Sequence, residues 1–356
     1  SSLIKPLTIL LFFHTSLITY GQSLEHFADS IRQKYDIPEL AFAIVSADSI
    51  YEMKTLGFQR INTQYIAQSD DKFRIGSNTK AITCFIAAEL VKKGKINWDT
   101  KFFELFPDLI QSSNKKYLHL TLLNLLTFRT KLFKYTYTNT KPSKDQFNGT
   151  EEEQRYQFTK WFFQQKPVCN KDSINFSNLG YVAAGLMLEK ASGKQYKQLV
   201  AELGQELNID FGFGQPNYTD TLQPWGHNEE LTPELPNDNY KLNWLLPAGN
   251  INVSLPDYSK FIQLQLKGFD GKSSIFTKEE FMYLHYGLPE FALGWFWEID
   301  EKNQKYSFNT GNPGTFLSKV FVFNDIAFII LTNSQTDKTD IGINILYEKL
   351  KNKYSK

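Results

Sequence analysis

The chain of 356 residues is 42% hydrophobic and carries 39 basic against 38 acidic side chains, a formal net charge of +1. That length and apolar content can bury one large core or two modest ones, and the balanced charge leaves no electrostatic footprint for nucleic acid. The only cysteines, Cys84 and Cys169, give neither a metal-ligand spacing nor a disulfide framework, so no metal or other cofactor is expected.

Lys5 precedes the apolar run "LTILLFFHTSLIT", and Thr19-Tyr20-Gly21 puts small residues at the −3 and −1 places of a leader cleaved before Gln22. The run is too short, and too interrupted by His14 and threonines, for a membrane span. Residues 1–21 therefore read as a signal peptide and the protein as exported, periplasmic or secreted. With no cysteine at the cleavage site, no membrane anchor is expected after cleavage. Ser23 then starts an amphipathic helix with Leu24, Phe27 and Ile31 on one face, stopping before Pro38. "LAFAIVSADSIYEMKTLGF" reads as two strands joined at Ala47-Asp48. From about 76 to 289 the pattern is helical segments and long loops, including a helix from Thr150 with Glu153 three later, a capping box. The end returns to strands, "FALGWFWEID", "KYSFNTG", "GTFLSKVFVF" and "IAFIILTNS", and a last helix carrying Ile341, Ile345, Leu346 and Leu350. Strands first, helices in the middle and strands last predict an α+β fold. One antiparallel sheet is closed by both chain ends and flanked by their helices, with a helical lobe inserted. Residues 22–356 then form one domain: a sheet lobe of about 22–75 plus 290–356, a helical lobe of about 76–289, and a cleft between them.

The stretch "FRIGSNTKAITCFIAAEL" places Ser77 and Lys80 three apart at a helix start. Ser77, Asn78 and Thr79 can each cap free helix N–H groups. Ala81, Ile82, Phe85, Ile86, Glu89 and Leu90 fall at helical spacing before Gly94. A pure cap would prefer a carboxylate where Lys80 stands, and the helix dipole disfavours a cation there by roughly 0.3–1 kcal/mol. Residues i and i+3 share a helix face. A desolvated amine there could lose its proton and then take one from the serine hydroxyl. A bare S-x-x-K is common by chance.

The order of motifs resembles the serine β-lactamase and penicillin-binding protein superfamily, and within it the class C-like branch that also holds esterases and D-stereospecific peptidases. "FRIGSNTKAIT" resembles the nucleophile motif, "GKINWDTKFFELFPDL" the segment after it, and "FSNLGYVAAGLMLEKASG" the second motif with its helix. "LPAGNINVSLPDYSKF", "FALGW" and "NTGNPGTF" resemble later landmarks in register. The resemblance implies a β-lactamase/DD-peptidase-like fold and acyl transfer from a small-molecule or peptide substrate. It makes Ser77 the nucleophile, with Lys80 helping to remove its proton and Asn178 bonding Lys80 and the substrate amide. The oxyanion would be held by the backbone N–H of Ser77 and of Asn312, and Gly311 would let substrate lie along the strand.

Two positions depart from that pattern. Phe176 stands where the branch usually has a tyrosine that shuttles the proton, and Asn309 where it usually has lysine or histidine. "LLTFRTKL" also lacks the usual histidine and glycine. Losing a general acid/base typically costs 10²–10⁴-fold, so the departures suit an ester better than a β-lactam or D-peptide. They also leave open a member that binds its ligand without turnover. An alternative register, Ser173-Ile174-Asn175, would put Ser173 in the tyrosine's place. His227 and His285 read as structural, Tyr156 to Phe163 as lobe core, and the polar stretch from Tyr135 to Asn148 as a loop rimming a site.

Overall fold

A computed structural model describes residues 22–237 and 239–354; the expected leader lies outside the described residues. Helix α1, Leu24–Lys34, starts where Ser23 Oγ accepts the His26 N–H at 3.1 Å. Strand β1, Glu39–Val45, is buried at all seven positions because both faces of the sheet are covered. Its alternate residues face opposite ways. Leu40, Phe42 and Ile44 join a core with α1 and the C-terminal helix Asp337–Tyr354, while Ala41, Ala43 and Val45 join the core shared with the middle helices.

The main sheet has six antiparallel strands. Strand β2 (Ile50–Gly57) lies at one edge beside β1; β9 (Ala327–Thr332), β8 (Leu317–Val322), β7 (Lys305–Gly311) and β6 (Phe296–Ile299) follow in that order. Both chain ends thus build one sheet, as the pattern predicts, and β7 stands one strand in from the β6 edge, with its Gly311 against the backbone of Ile75. In that lobe the Thr150–Glu153 capping box closes, with Thr150 N–H donating to Glu153 Oε2 at 2.8 Å and Glu153 N–H to Thr150 Oγ1 at 3.2 Å. Phe158, Phe162 and Phe163 are buried, and Tyr156 and Trp161 pack partly buried against them.

Three features differ from the expectation. A second sheet, β3 (Lys72–Arg74), β5 (Ile251–Ser254) and β4 (Gly212–Phe213) in the order β3-β5-β4, sits in the helical region. Its strands of two to four residues are too short to show alternation. Helix α2, Thr79–Lys92, buries eleven of its fourteen residues rather than one stripe, because it runs through the interior between the lobes. On the C-terminal helix, Ile341 and Ile345 are exposed, and the buried face is Ile343, Leu346, Tyr347 and Leu350. Among the described residues, no helix is long and apolar enough to cross a membrane.

Candidate active site

Ser77 lies in a short 3-10 turn, Gly76–Asn78, directly ahead of α2. Gly76 has φ +52, a left-handed conformation that a side chain disfavours, and it meets strand β7 at backbone distance. A Cβ on Gly76 would stand 2.8 Å from Asn312 N, and one on Gly311 would stand 1.8 Å from Ile75 O. The Gly311 glycine is therefore required by the protein's own backbone. Ser318 Oγ donates to Ile75 O at 2.9 Å and accepts from Asn78 Nδ2 at 2.7 Å, tying the turn to β8.

Lys80 is 2% exposed. Its Nζ lies 3.0 Å from Ser77 Oγ, 2.8 Å from Asn178 Oδ1 and 2.8 Å from the carbonyl O of Ala248. Burial lowers its pKa to about 7. A neutral amine has two hydrogens and one lone pair. Two of the three neighbours, Asn178 Oδ1 and Ala248 O, can only accept, so they fix the hydrogens and turn the lone pair toward Ser77. Asn178 is itself oriented by Nδ2 donating to Tyr135 O at 2.8 Å. The segment before it is laid against residues 128–135: Asn175 N–H donates to Phe128 O at 2.8 Å and Ser177 Oγ to Phe133 O at 2.7 Å.

Phe176 borders the same cleft, a hollow of about 220 Å³ around Ser77, Lys80, Asn178 and Thr310. Its ring stands edge-on to Phe128 at 5.4 Å and tilted against Phe296 at 5.5 Å. At 49% exposure it is the one exposed phenylalanine among the described residues. Asn309 is only 4% exposed. Its Nδ2 donates to Ser77 O at 3.4 Å and Gly294 O at 3.2 Å, and its Oδ1 accepts from Thr310 N at 2.8 Å. All its hydrogen bonds are internal, so it braces the Ser77 turn. Lys134, exposed, also lines the cleft.

A family model described as Beta-lactamase matches residues 24–350. The chain belongs to the Beta-lactamase family. Among curated proteins, Protein flp of Staphylococcus aureus (strain NCTC 8325 / PS 47) is 23% identical over 307 residues, covering 83% of this chain and 60% of that protein. The chain thus spans about 60% of the length of the curated relatives it matches. The octameric penicillin-binding protein homologue from Pyrococcus abyssi superposes with a TM-score of 0.72 at 17% identity, covering 92% of this chain and 76% of that one. The D-amino acid amidase from Ochrobactrum anthropi SV3 gives 0.70 at 18% identity, covering 93% and 99%. At such identities these structures show a shared β-lactamase/DD-peptidase fold.

Of the motif residues, Ser77, Lys80, Phe176, Asn178 and Asn309 come from distant stretches to line one cleft, while Gly311 and Asn312 lie outside that lining, against the backbone of Ile75 and Gly76. Ser173 does not join them: it is exposed and outside the lining, whereas Asn178 bonds Lys80. His227 is buried, with Nδ1 2.8 Å from Asn333 O and Nε2 accepting from Ile61 N at 3.1 Å, and burial lowers its pKa to about 4. His285 is paired with Ser307 and Gln265. Of the long loop, Tyr135 and Thr136 reach the cleft. Among the described residues, no cluster of three His, Cys, Asp or Glu side chains is placed to hold a metal ion. Sequence reasoning missed Ala248 and Tyr135, which act through backbone carbonyls, and Lys134. A lysine in an otherwise polar loop was the only available signal.

Proposed function

We propose that this protein is a serine hydrolase that forms an acyl-enzyme on Ser77, with Lys80 as its base, and that it acts on an ester in preference to an amide. The observation that carries this reading is the Lys80 amine, buried, lowered to about 7 and 3.0 Å from Ser77 Oγ. As Oγ attacks the carbonyl carbon, Lys80 takes the hydroxyl proton. The oxyanion then forms beside the backbone N–H groups of Ser77 and Asn312, the largest electrostatic contribution in such chemistry. When the intermediate collapses, the Lys80 ammonium returns the proton to the leaving oxygen or nitrogen. Water repeats the sequence to release the acid.

Phe176 neither takes nor gives a proton, and among the described residues the cleft lining holds no His, Asp or Glu. Lys80, the amine bonded to Ser77 Oγ, therefore serves at both stages; the other titratable side chains of the lining are Lys134 and Tyr135. That suits an alkoxide, which leaves with less help than an amine. The apolar leader-like run at residues 7–19 supports export of the hydrolase. Phe176 favours one other reading, a family member that binds a cell-wall peptide or similar ligand in the cleft without turnover.

The test is intact-mass spectrometry after exposure to a reactive fluorophosphonate, with Ser77→Ala beside the wild type. One adduct on the wild type, absent from the variant, is expected. No adduct on folded wild-type protein would leave the silent, ligand-binding reading.

A further inference from the structure

Four phenylalanines line the Ser77 cleft, and their rings form a closed circuit. Phe128 stands edge-on to Phe176 at 5.4 Å, and Phe176 is tilted against Phe296 at 5.5 Å. Phe296 meets Phe291 at 4.7 Å, and Phe291 stacks on Phe128 at 4.3 Å. Phe128 and Phe291 are buried and back the wall. Phe296, partly buried, and Phe176, half exposed, give it the surface a ligand can reach. The backing is braced. Arg129 Nη1 donates to Phe291 O at 2.9 Å and Nη2 to Pro289 O at 2.8 Å, while Phe128 O accepts from Asn175 N at 2.8 Å. Phe128 has φ +61, and Glu290, next to Phe291, has φ +68. Such left-handed backbone is uncommon for bulky residues, persists where its surroundings enforce it, and clusters at ligand sites.

Room and chemistry narrow what meets that surface. An apolar cavity of about 150 Å³ takes up one benzene. The hollow of about 220 Å³ therefore holds a ring with the reacting ester and little more. Aromatic rings attract one another edge-to-face or offset, beyond the area they bury. A fifth ring thus gains more from Phe176 and Phe296 than an alkyl group of equal size. Phe176 stands where the family pattern puts the proton shuttle that serves the leaving group, and it has no proton to give. A phenol, with a pKa of about 10 like that of tyrosine, departs as its anion far more readily than an ordinary alcohol, which is close to water at about 15.7. An aromatic leaving group uses the stacking surface and does without the missing acid.

We propose that Phe176 and Phe296 form a subsite for an aromatic leaving group, and that the protein is an aryl esterase. The proposal rests on Ser77 being the nucleophile. Ser77 Oγ bonds the carbonyl carbon, the bond from that carbon to the aryl oxygen breaks, and its electron pair leaves on the phenolate. The serine proton, taken by Lys80, passes to the phenolate. Lys80, lowered to about 7, gives it up readily to an oxygen of pKa about 10.

The test compares kcat/KM for phenyl acetate and hexafluoroisopropyl acetate, each divided by its rate of hydrolysis by hydroxide. The two alcohols are of similar acidity and the acyl group is shared. Neither ester is charged, so Lys134 of the lining does not separate them. The normalised ratio is expected to favour the phenyl ester by about fivefold or more. Phe176→Ala should bring it close to unity. Phe176→Leu, which keeps apolar bulk without the ring, should lower it, and Phe176→Tyr should retain it. Thermal melts establish that each variant is folded; if Phe176→Ala is not, the leucine variant decides. A wild-type ratio near unity would overturn the proposal, as would a ratio that the folded alanine and leucine variants retain, with Ser77 still labelled by the fluorophosphonate. No turnover of either ester and no labelling would instead overturn the Ser77 reading, and this proposal with it.

Discussion

The carbonyl oxygen of Ala248 sits 2.8 Å from Lys80 Nζ and takes one of the amine's hydrogens, as Asn178 Oδ1 takes another. This pair of acceptors leaves the lone pair for Ser77. The rate of Ser77 acylation should therefore follow the free amine, rising about tenfold per pH unit below a pH of about 7 and levelling above it. Replacing Lys80 with arginine keeps the charge but removes the base, and should lower the rate by roughly 10²–10⁴-fold. The pH dependence of fluorophosphonate labelling measures both. A flat profile across that range would mean that Lys80 does not take the proton.

The same amine has a consequence for stability. Its folded pKa, about 7, lies below the ordinary value of 10.5, so between those values the unfolded chain binds more protons than the folded one. Stability should then rise with pH across that window, and the cost of burying the ammonium is fully present below it. Lys80→Met should melt higher than the wild type near pH 6, with the difference shrinking toward the alkaline end of the window. Thermal melts of both proteins across it decide the point; parallel curves would contradict a lowered pKa.

Phe176→Tyr should restore a proton donor at the cleft. The phenylalanine is half exposed and touches Phe128 and Phe296 by ring contacts that a tyrosine ring can keep. Stability should change by less than about 0.5 kcal/mol. Acylation by an amide should accelerate more than acylation by the matching ester, because the amine leaving group needs the proton more. The amide-to-ester rate ratio, measured with one acyl group, is the readout. An unchanged ratio in a folded variant would show that position 176 does not face the leaving group.

Much of this site was legible in the sequence, for a physical reason. Ser77 and Lys80 share a helix face three residues apart, and a lysine at a helix start breaks a local rule. Asn178 and Gly311 follow from the order of later motifs. The carbonyls of Ala248 and Tyr135 were not legible, because every residue has one and only the fold aims it. The role of Asn309 was half legible. An amide in the place of a cation signals lost charge, but its bonds to Ser77 O and Gly294 O depend on how closely β7 approaches the turn. In the fold, the strands of both chain ends announced themselves by apolar runs. Strands of two to four residues and the all-round burial of α2 depend on tertiary packing that no local pattern carries.

Asn309→Ala should test that bracing role. The substitution leaves the Ser77 and Gly294 carbonyls without their donor, which should cost about 1–3 kcal/mol of stability and slow acylation of every substrate alike. Asn309→Lys can donate to the same two carbonyls while adding a positive charge. It should raise the rate for a carboxylate-bearing ester relative to its neutral analogue. Equal effects on the two esters would count against charge recognition at this position.

Away from the cleft, Glu39 opens β1 with its carboxyl fully buried. Burial first, then the hydrogen bond and charge of neighbouring Asp71, hold its pKa well above the ordinary carboxylate range. Asp71 in turn accepts from Gln59 Nε2 at 2.6 Å and from Gln68 N at 2.8 Å. With the folded pKa above the unfolded one, the folded state retains a proton that the unfolded chain has lost. The stabilisation is complete below the ordinary carboxylate pKa of about 4.5 and is lost as pH rises toward the folded value. Glu39→Gln offers Asp71 an N–H that cannot ionise. The variant should match the wild type in acid and melt higher at alkaline pH, with Ser77 labelling unchanged because the substitution lies outside the cleft lining. Melting temperatures from about pH 4 to about pH 9 test this. A constant offset between the curves would mean that Glu39 titrates alike in the folded and unfolded chains.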